Sequence, residues 1–151
     1  MLKFDPGTKA SNSQKSLNSH SCTKADGNPC PSAGTFRTTE HNIGVESYRI
    51  GIDLANLLCD VLYWVENDTF PKDEIAVRFH HRLVAIHPLP TGNGRHARLA
   101  ADILIERLGG QRFSWGGGTL ADVGELRARY VAALRAADNH DIAPLRDFAR
   151  T

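Results

Sequence analysis

HPLPTGNGRHAR, residues 87–98, decides how the chain around it must fold. Pro88 keeps His87 out of the helical conformation and Pro90 repeats the obstruction, so a helix arriving at Ile86 ends there. Gly92-Asn93-Gly94 then forms a turn, and a second helix opens near Gly94 with Arg95 and Arg98 in its first turn.

Working outward, apolar residues recur at helical steps on both sides. Leu54, Leu57, Leu58, Val61, Leu62 and Val65 make one stripe, which predicts a helix over about 52–67. Pro71, Asp73 and Glu74 suit the first turn of the next helix, whose buried face is Ile75, Phe79, Leu83 and Ile86. The helix from Gly94 to about Leu108 is apolar most of the way round, through Ala97, Leu99, Ala101, Ile103, Leu104 and Leu108, and is expected to be the central one. Gly109-Gly110 stops it. Thr119 with Asp122 reads as a capping box for a helix facing inward through Leu126, Tyr130, Leu134 and Ala137, and Asp141 as the cap of a short last helix carrying Ile142, Leu145 and Phe148. GTFRTTEHNIGV, residues 34–45, holds two short β-prone pieces around a polar turn and reads as a hairpin. The fold expected is an all-α bundle with one small β-hairpin.

Composition limits what such a chain does. Of 151 residues, 41% are hydrophobic and 23% charged, and 18 Lys+Arg against 17 Asp+Glu leave a net charge of +1. That excludes collagen-like, fully disordered and disulfide-dense chains, and it speaks against binding nucleic acid by bulk charge. Cys22, Cys30 and Cys59 are odd in number and lack CxxC spacing, which points to a reducing, cytoplasmic setting. No apolar run spans a bilayer. Residues 1–32, rich in Ser and Asn, carry too little apolar surface to offset ordering and read as a weakly ordered leader before a domain at 33–151.

Arginine at a helix start opposes the helix dipole at a cost of roughly 0.3–1 kcal/mol. A bound anion reverses that sign, because first-turn N–H groups, a glycine-lined nest and two guanidiniums converge on it. Gly92 and Gly94 allow close backbone approach, Asn93 offers a side-chain amide, and Arg95 and Arg98 reach successive phosphates, so a polyphosphate fits. His87, with an ordinary pKa near ~6.5, is the natural base. His80, His81 and His96 are not a metal cluster, since adjacent histidines point to different faces and no HExxH occurs. His80 shares a face with Val84 and His87, which would let it help orient the base, though exposure to solvent is the expectation.

The stretch resembles the HxFx(D/E)GNGRxxR signature of the Fic (filamentation induced by cAMP) domain family, through His87, Gly92, Asn93, Gly94, Arg95 and Arg98. Within the family, the subgroup it looks most like is the mobile mystery protein B type. The resemblance covers about residues 33–151 and implies transfer of AMP from ATP to a Ser, Thr or Tyr hydroxyl of a target protein. It implies that His87 deprotonates the target, that Asn93 and the glycine turn hold the α-phosphate, and that Arg95 and Arg98 hold the β- and γ-phosphates. The hairpin Thr35 to Val45 would be the flap on which the target docks as an added strand. Both glycines retained favours adenylylation over phosphorylation. Thr91 stands where the signature has an acid for Mg²⁺, so metal would be held chiefly by nucleotide oxygens and water. Leu89 stands where it has Phe. No (S/T)xxxE(G/N) inhibitory string occurs, which assigns inhibition to a separate protein. The rival readings are a nucleotide-binding pseudoenzyme and a non-enzymatic DNA-binding helical protein using Arg95, His96 and Arg98.

Overall fold

The computed structural model describes residues 35–117 and 122–151. The leader expected at 1–32, and Thr119 of the expected capping box, lie outside the described residues. A single 3-10 turn, Ser47–Arg49, leads into α1 (Ile50–Glu66), followed by α2 (Lys72–Ile86), α3 (Asn93–Arg107), α4 (Val123–Asp138) and α5 (Ala143–Arg150). None of the described helices is long and apolar enough to cross a membrane.

Two apolar clusters meet on α2 and α3. Ile50, Leu57 and Val61 of α1 pack with Ile75, Leu83 and Ile86 of α2 and Ala97 of α3. On the other side Ala76, Val77, Ala101 and Ile105 pack with Phe113, Trp115, Ala133 and Ala137, and with Leu145 and Phe148 of α5. The hub is therefore α2, which touches α1, α3 and α5, rather than α3 as the periodicity suggested. Small residues on the inner face of α3 let α2 approach closely, while Ile103 on its outer face stays 46% exposed. Leu58 and Leu62 likewise face outward from α1.

The ends follow their local chemistry. Asp73 and Glu74 occupy the first turn of α2 behind Pro71 at its N-cap, and they pair with Arg150 (2.5 Å) and Arg78 (2.7 Å) respectively. Asp122 is the N-cap of α4 rather than the in-helix acid of a capping box, since its backbone is extended (φ −59°, ψ 146°) and its carboxylate accepts the Gly124 N–H at 2.9 Å; Asp141 accepts the Ala143 N–H at 3.2 Å at the start of α5. The segment after α3 is tied back by Asp102, which accepts the Trp115 indole N–H at 2.9 Å and the Phe113 N–H at 3.3 Å.

The expected hairpin is not formed: among the described residues there is no strand, and 35–46 is a loop. Its backbone donors go elsewhere. The Arg37 N–H donates to Pro88 O at 2.9 Å and the Val45 N–H to Ile86 O at 3.4 Å, so the loop pairs with the end of α2 instead of with itself. Phe36 and Ile43 remain more than half exposed, and the residue turned inward is Arg37. A polar segment this short lacks the cross-strand apolar pairs that hold a hairpin together.

Candidate functional site

The site lies where α2 ends and α3 begins. His87 takes the left-handed conformation at the end of α2 (φ 56°, ψ 55°), its N–H still donating to Leu83 O at 3.2 Å. Pro88 then turns the chain away. Burial holds the half-buried His87 imidazole below its ordinary pKa; the Val84 backbone opposes this, and the charges of His41 and Arg37 push the same way as burial. The ring is thus neutral at pH 7 and free to accept a proton. The His41 ring lies 6.0 Å from it, centroid to centroid.

The turn between the helices is stapled by Asn93. Its amide oxygen accepts the Leu89 N–H at 2.8 Å and its amide nitrogen donates to Leu89 O at 2.7 Å, with the residue only 3% exposed. One amide hydrogen is spent on the loop and one remains for an anion. Asn93 is accordingly a loop brace first. Leu89 contributes its backbone N–H and carbonyl to that brace.

Gly92 caps α3 in the left-handed region at φ 78°. The first intrahelical bond runs from His96 N–H to Gly92 O at 2.9 Å, which leaves the N–H groups of Asn93, Gly94 and Arg95 without helical acceptors. The first turn carries no acid. Arg95 is exposed and bends back over the turn, its Nη2 3.6 Å from where a Gly92 Cβ would stand. Arg98 is half-buried, donating from Nε to Gly94 O at 3.3 Å, with its guanidinium 5.5 Å from the Tyr130 ring centroid. Among the described residues neither arginine forms an ion pair with a carboxylate. Two guanidiniums and three N–H groups without helical acceptors, gathered at one helix end, form a cradle of the kind suited to an anion. All six residues singled out from the sequence sit at this junction. Thr91, in the same loop, is exposed, and no three His, Cys, Asp or Glu side chains converge as metal ligands among the described residues.

Two groups escaped sequence reading. His80, expected at the surface, is fully buried, its Nε2 3.0 Å from the Tyr130 hydroxyl and its ring 4.5 Å from that of Trp115. Burial lowers its pKa to about 4, so it is a neutral prop beneath the cradle. Tyr130 links it to the site, standing against both Arg98 and Gly94. Arg37 is the other, buried against the backbone of His87. The available signal was Gly44, whose φ of 101° and missing Cβ mark a close approach; a Cβ there would stand 2.6 Å from that of His87.

A sequence model of the Fic/DOC family matches residues 13–105. Two proteins named protein adenylyltransferase fic-1 are similar over 115 residues, at 33% identity in Caenorhabditis briggsae and 32% in Caenorhabditis elegans, covering 74% of this chain and 21% of each relative. A solved fragment of Fic-1 from C. elegans superposes with a TM-score of 0.58 at 28% identity, and a single-residue variant of that fragment with 0.62 at 30%. Each covers 79% of this chain and 34% of the solved one, so the chain spans about a fifth of the curated relatives and a third of the solved fragments.

Proposed function

The chain belongs to the Fic/DOC family, and from that premise we propose that it transfers AMP from ATP to a hydroxyl side chain of a target protein. One observation carries the reading: a neutral histidine at the end of α2 adjoins an acid-free helix start bearing Arg95 and Arg98. In the proposed reaction the target hydroxyl oxygen bonds to the α-phosphorus, the bond to pyrophosphate breaks, and the hydroxyl proton passes to His87. The N–H groups around Gly92, Asn93 and Gly94 hold the α-phosphate, while Arg95 and Arg98 hold the β- and γ-phosphates and take up charge on the leaving group. The target lies along the exposed loop 38–44. The residues present do not form a protein site for Mg²⁺, since position 91 offers only a hydroxyl, and no step above is routed through the metal.

A pseudoenzyme that binds nucleotide without transfer is the second reading, and Thr91 is what favours it. Calorimetric titration with ATP and transfer of labelled AMP separate the two. Arg98→Ala should weaken ATP at least tenfold, while Arg127→Ala on the exposed face of α4 should leave it unchanged. His87→Ala should keep ATP binding and lose AMP transfer. Equal binding losses in the two arginine variants remove the cradle, and undiminished transfer by His87→Ala removes the base.

A further inference from the structure

Arg37 is 2% exposed, yet among the described residues no buried carboxylate neutralises it. Its guanidinium donates from Nε to His87 O at 2.7 Å, from Nη1 to Thr39 O at 3.0 Å and from Nη2 to Val45 O. Its own N–H donates to Pro88 O at 2.9 Å. One residue therefore grips two successive carbonyls at the turn out of α2 and two points of the 35–46 loop. Glu40 lies 3.7 Å away on the solvent side and is itself engaged by Ser47. Burying a cation is costly, and an apolar residue of similar volume often serves stability as well or better. What an apolar residue lacks is the planar fork that fixes several acceptors at once.

His87 needs such fixing. A non-glycine residue at positive φ costs on the order of 1–2 kcal/mol and persists only where its surroundings over-determine it. Gly44 packs against its Cβ, and Arg37, whose guanidinium stands beside Gly44, holds its carbonyl. We propose that Arg37 is a positioning residue, locking the left-handed backbone of His87 and so setting where the imidazole stands relative to the start of α3. The proposal rests on the adenylyltransferase reading for its consequence in catalysis, but the lock itself is a property of the ligand-free chain.

The test uses the full chain and two variants: Arg37→Met, which removes fork and charge, and Arg37→Lys, which keeps charge alone. Two readouts are taken, the NMR titration of the His87 ring without nucleotide and the kcat and KM of AMP transfer. The groups facing His87 are His41, Arg37 and, beyond Arg37, Glu40, so His41→Phe is carried as a control for its share of the titration. Losing the lock opens the ring to water and, in Arg37→Met, also removes a positive neighbour; both effects raise the titration midpoint. In both variants the midpoint should rise, and kcat should fall about ten- to a hundredfold with KM for ATP within twofold, because the cradle is untouched. Native midpoints and native kcat overturn the proposal. So do matched changes in kcat and KM that follow the melting temperature, since those mark a merely structural arginine. If Arg37→Met does not fold, Arg37→Lys decides alone. If the native chain transfers no AMP, the adenylyltransferase reading fails, and the titration still decides whether Arg37 holds His87.

Discussion

Within the proposed adenylyl transfer, Thr91 is the residue on which activity is expected to turn. It sits exposed in the loop between α2 and α3, offering a neutral hydroxyl beside a cradle otherwise built for negative charge. A carboxylate there would add a hard, anionic oxygen for Mg²⁺ close to the phosphates. Thr91→Asp should therefore raise Mg²⁺-dependent AMP transfer tenfold or more above the native chain, while Thr91→Ala should leave it within about twofold. Labelled ATP at saturating Mg²⁺ separates chemistry from metal binding. Fast native transfer slowed by Thr91→Asp would show that this position does not limit the reaction. At this scale, what was legible followed sequence distance. His87, Asn93, Arg95 and Arg98 lie within a dozen positions of one another and announce their chemistry together. Arg37 and His80 act on partners 50 positions away, His87 and Tyr130 respectively, and nothing local marks a pairing that only the packed helices create.

Helices were legible because their boundaries are written in side-chain chemistry. Periodicity located α1, α2 and α3 to within two residues, and the proline pair and paired glycines stopped α2 and α3 where expected. The loop at 35–46 was misread for a complementary reason. Its β-prone residues suggested self-pairing, whereas the end of α2 offered acceptors that its backbone took instead. The α4 cap shifts the expectation by one turn: Asp122, read as the acid of a capping box, is itself the N-cap, its extended backbone standing outside the helix and its carboxylate accepting the Gly124 N–H. Removing it should cost about 1 kcal/mol, with Asp122→Ala melting several degrees below native and Asp122→Ser within a degree or two. Because α4 carries Tyr130 behind the cradle, ATP affinity should hardly move while stability falls. A drop in affinity larger than tenfold would mean that α4 is set by this cap more tightly than its packing implies.

At the scale of the described domain, response to acid is tied to a histidine that burial holds uncharged. His80 lies where α2, α3, α4 and the 111–117 segment converge, its Nε2 3.0 Å from the Tyr130 hydroxyl. Burial is the main force lowering its pKa from 6.5 to about 4; the Ala97 backbone opposes this, and Arg98 and His81 reinforce burial. Between those two values the unfolded chain binds a proton that the folded chain refuses, so stability rises with pH across the window and falls on acidification. Integrated down to pH 4, the loss is about 3 kcal/mol, a large share of the ~5–15 kcal/mol available to a domain of this size. His87 and His96 are also held low by burial and act in the same sense. Urea unfolding at steps from pH 7.5 to pH 4.5 should thus show the native chain losing stability steeply below about pH 6.5. His80→Gln, which keeps a polar partner for Tyr130 but cannot titrate, should start less stable and lose less across the same range. Parallel curves for the two proteins would place the acid sensitivity elsewhere and remove His80 from the centre of the fold's pH response.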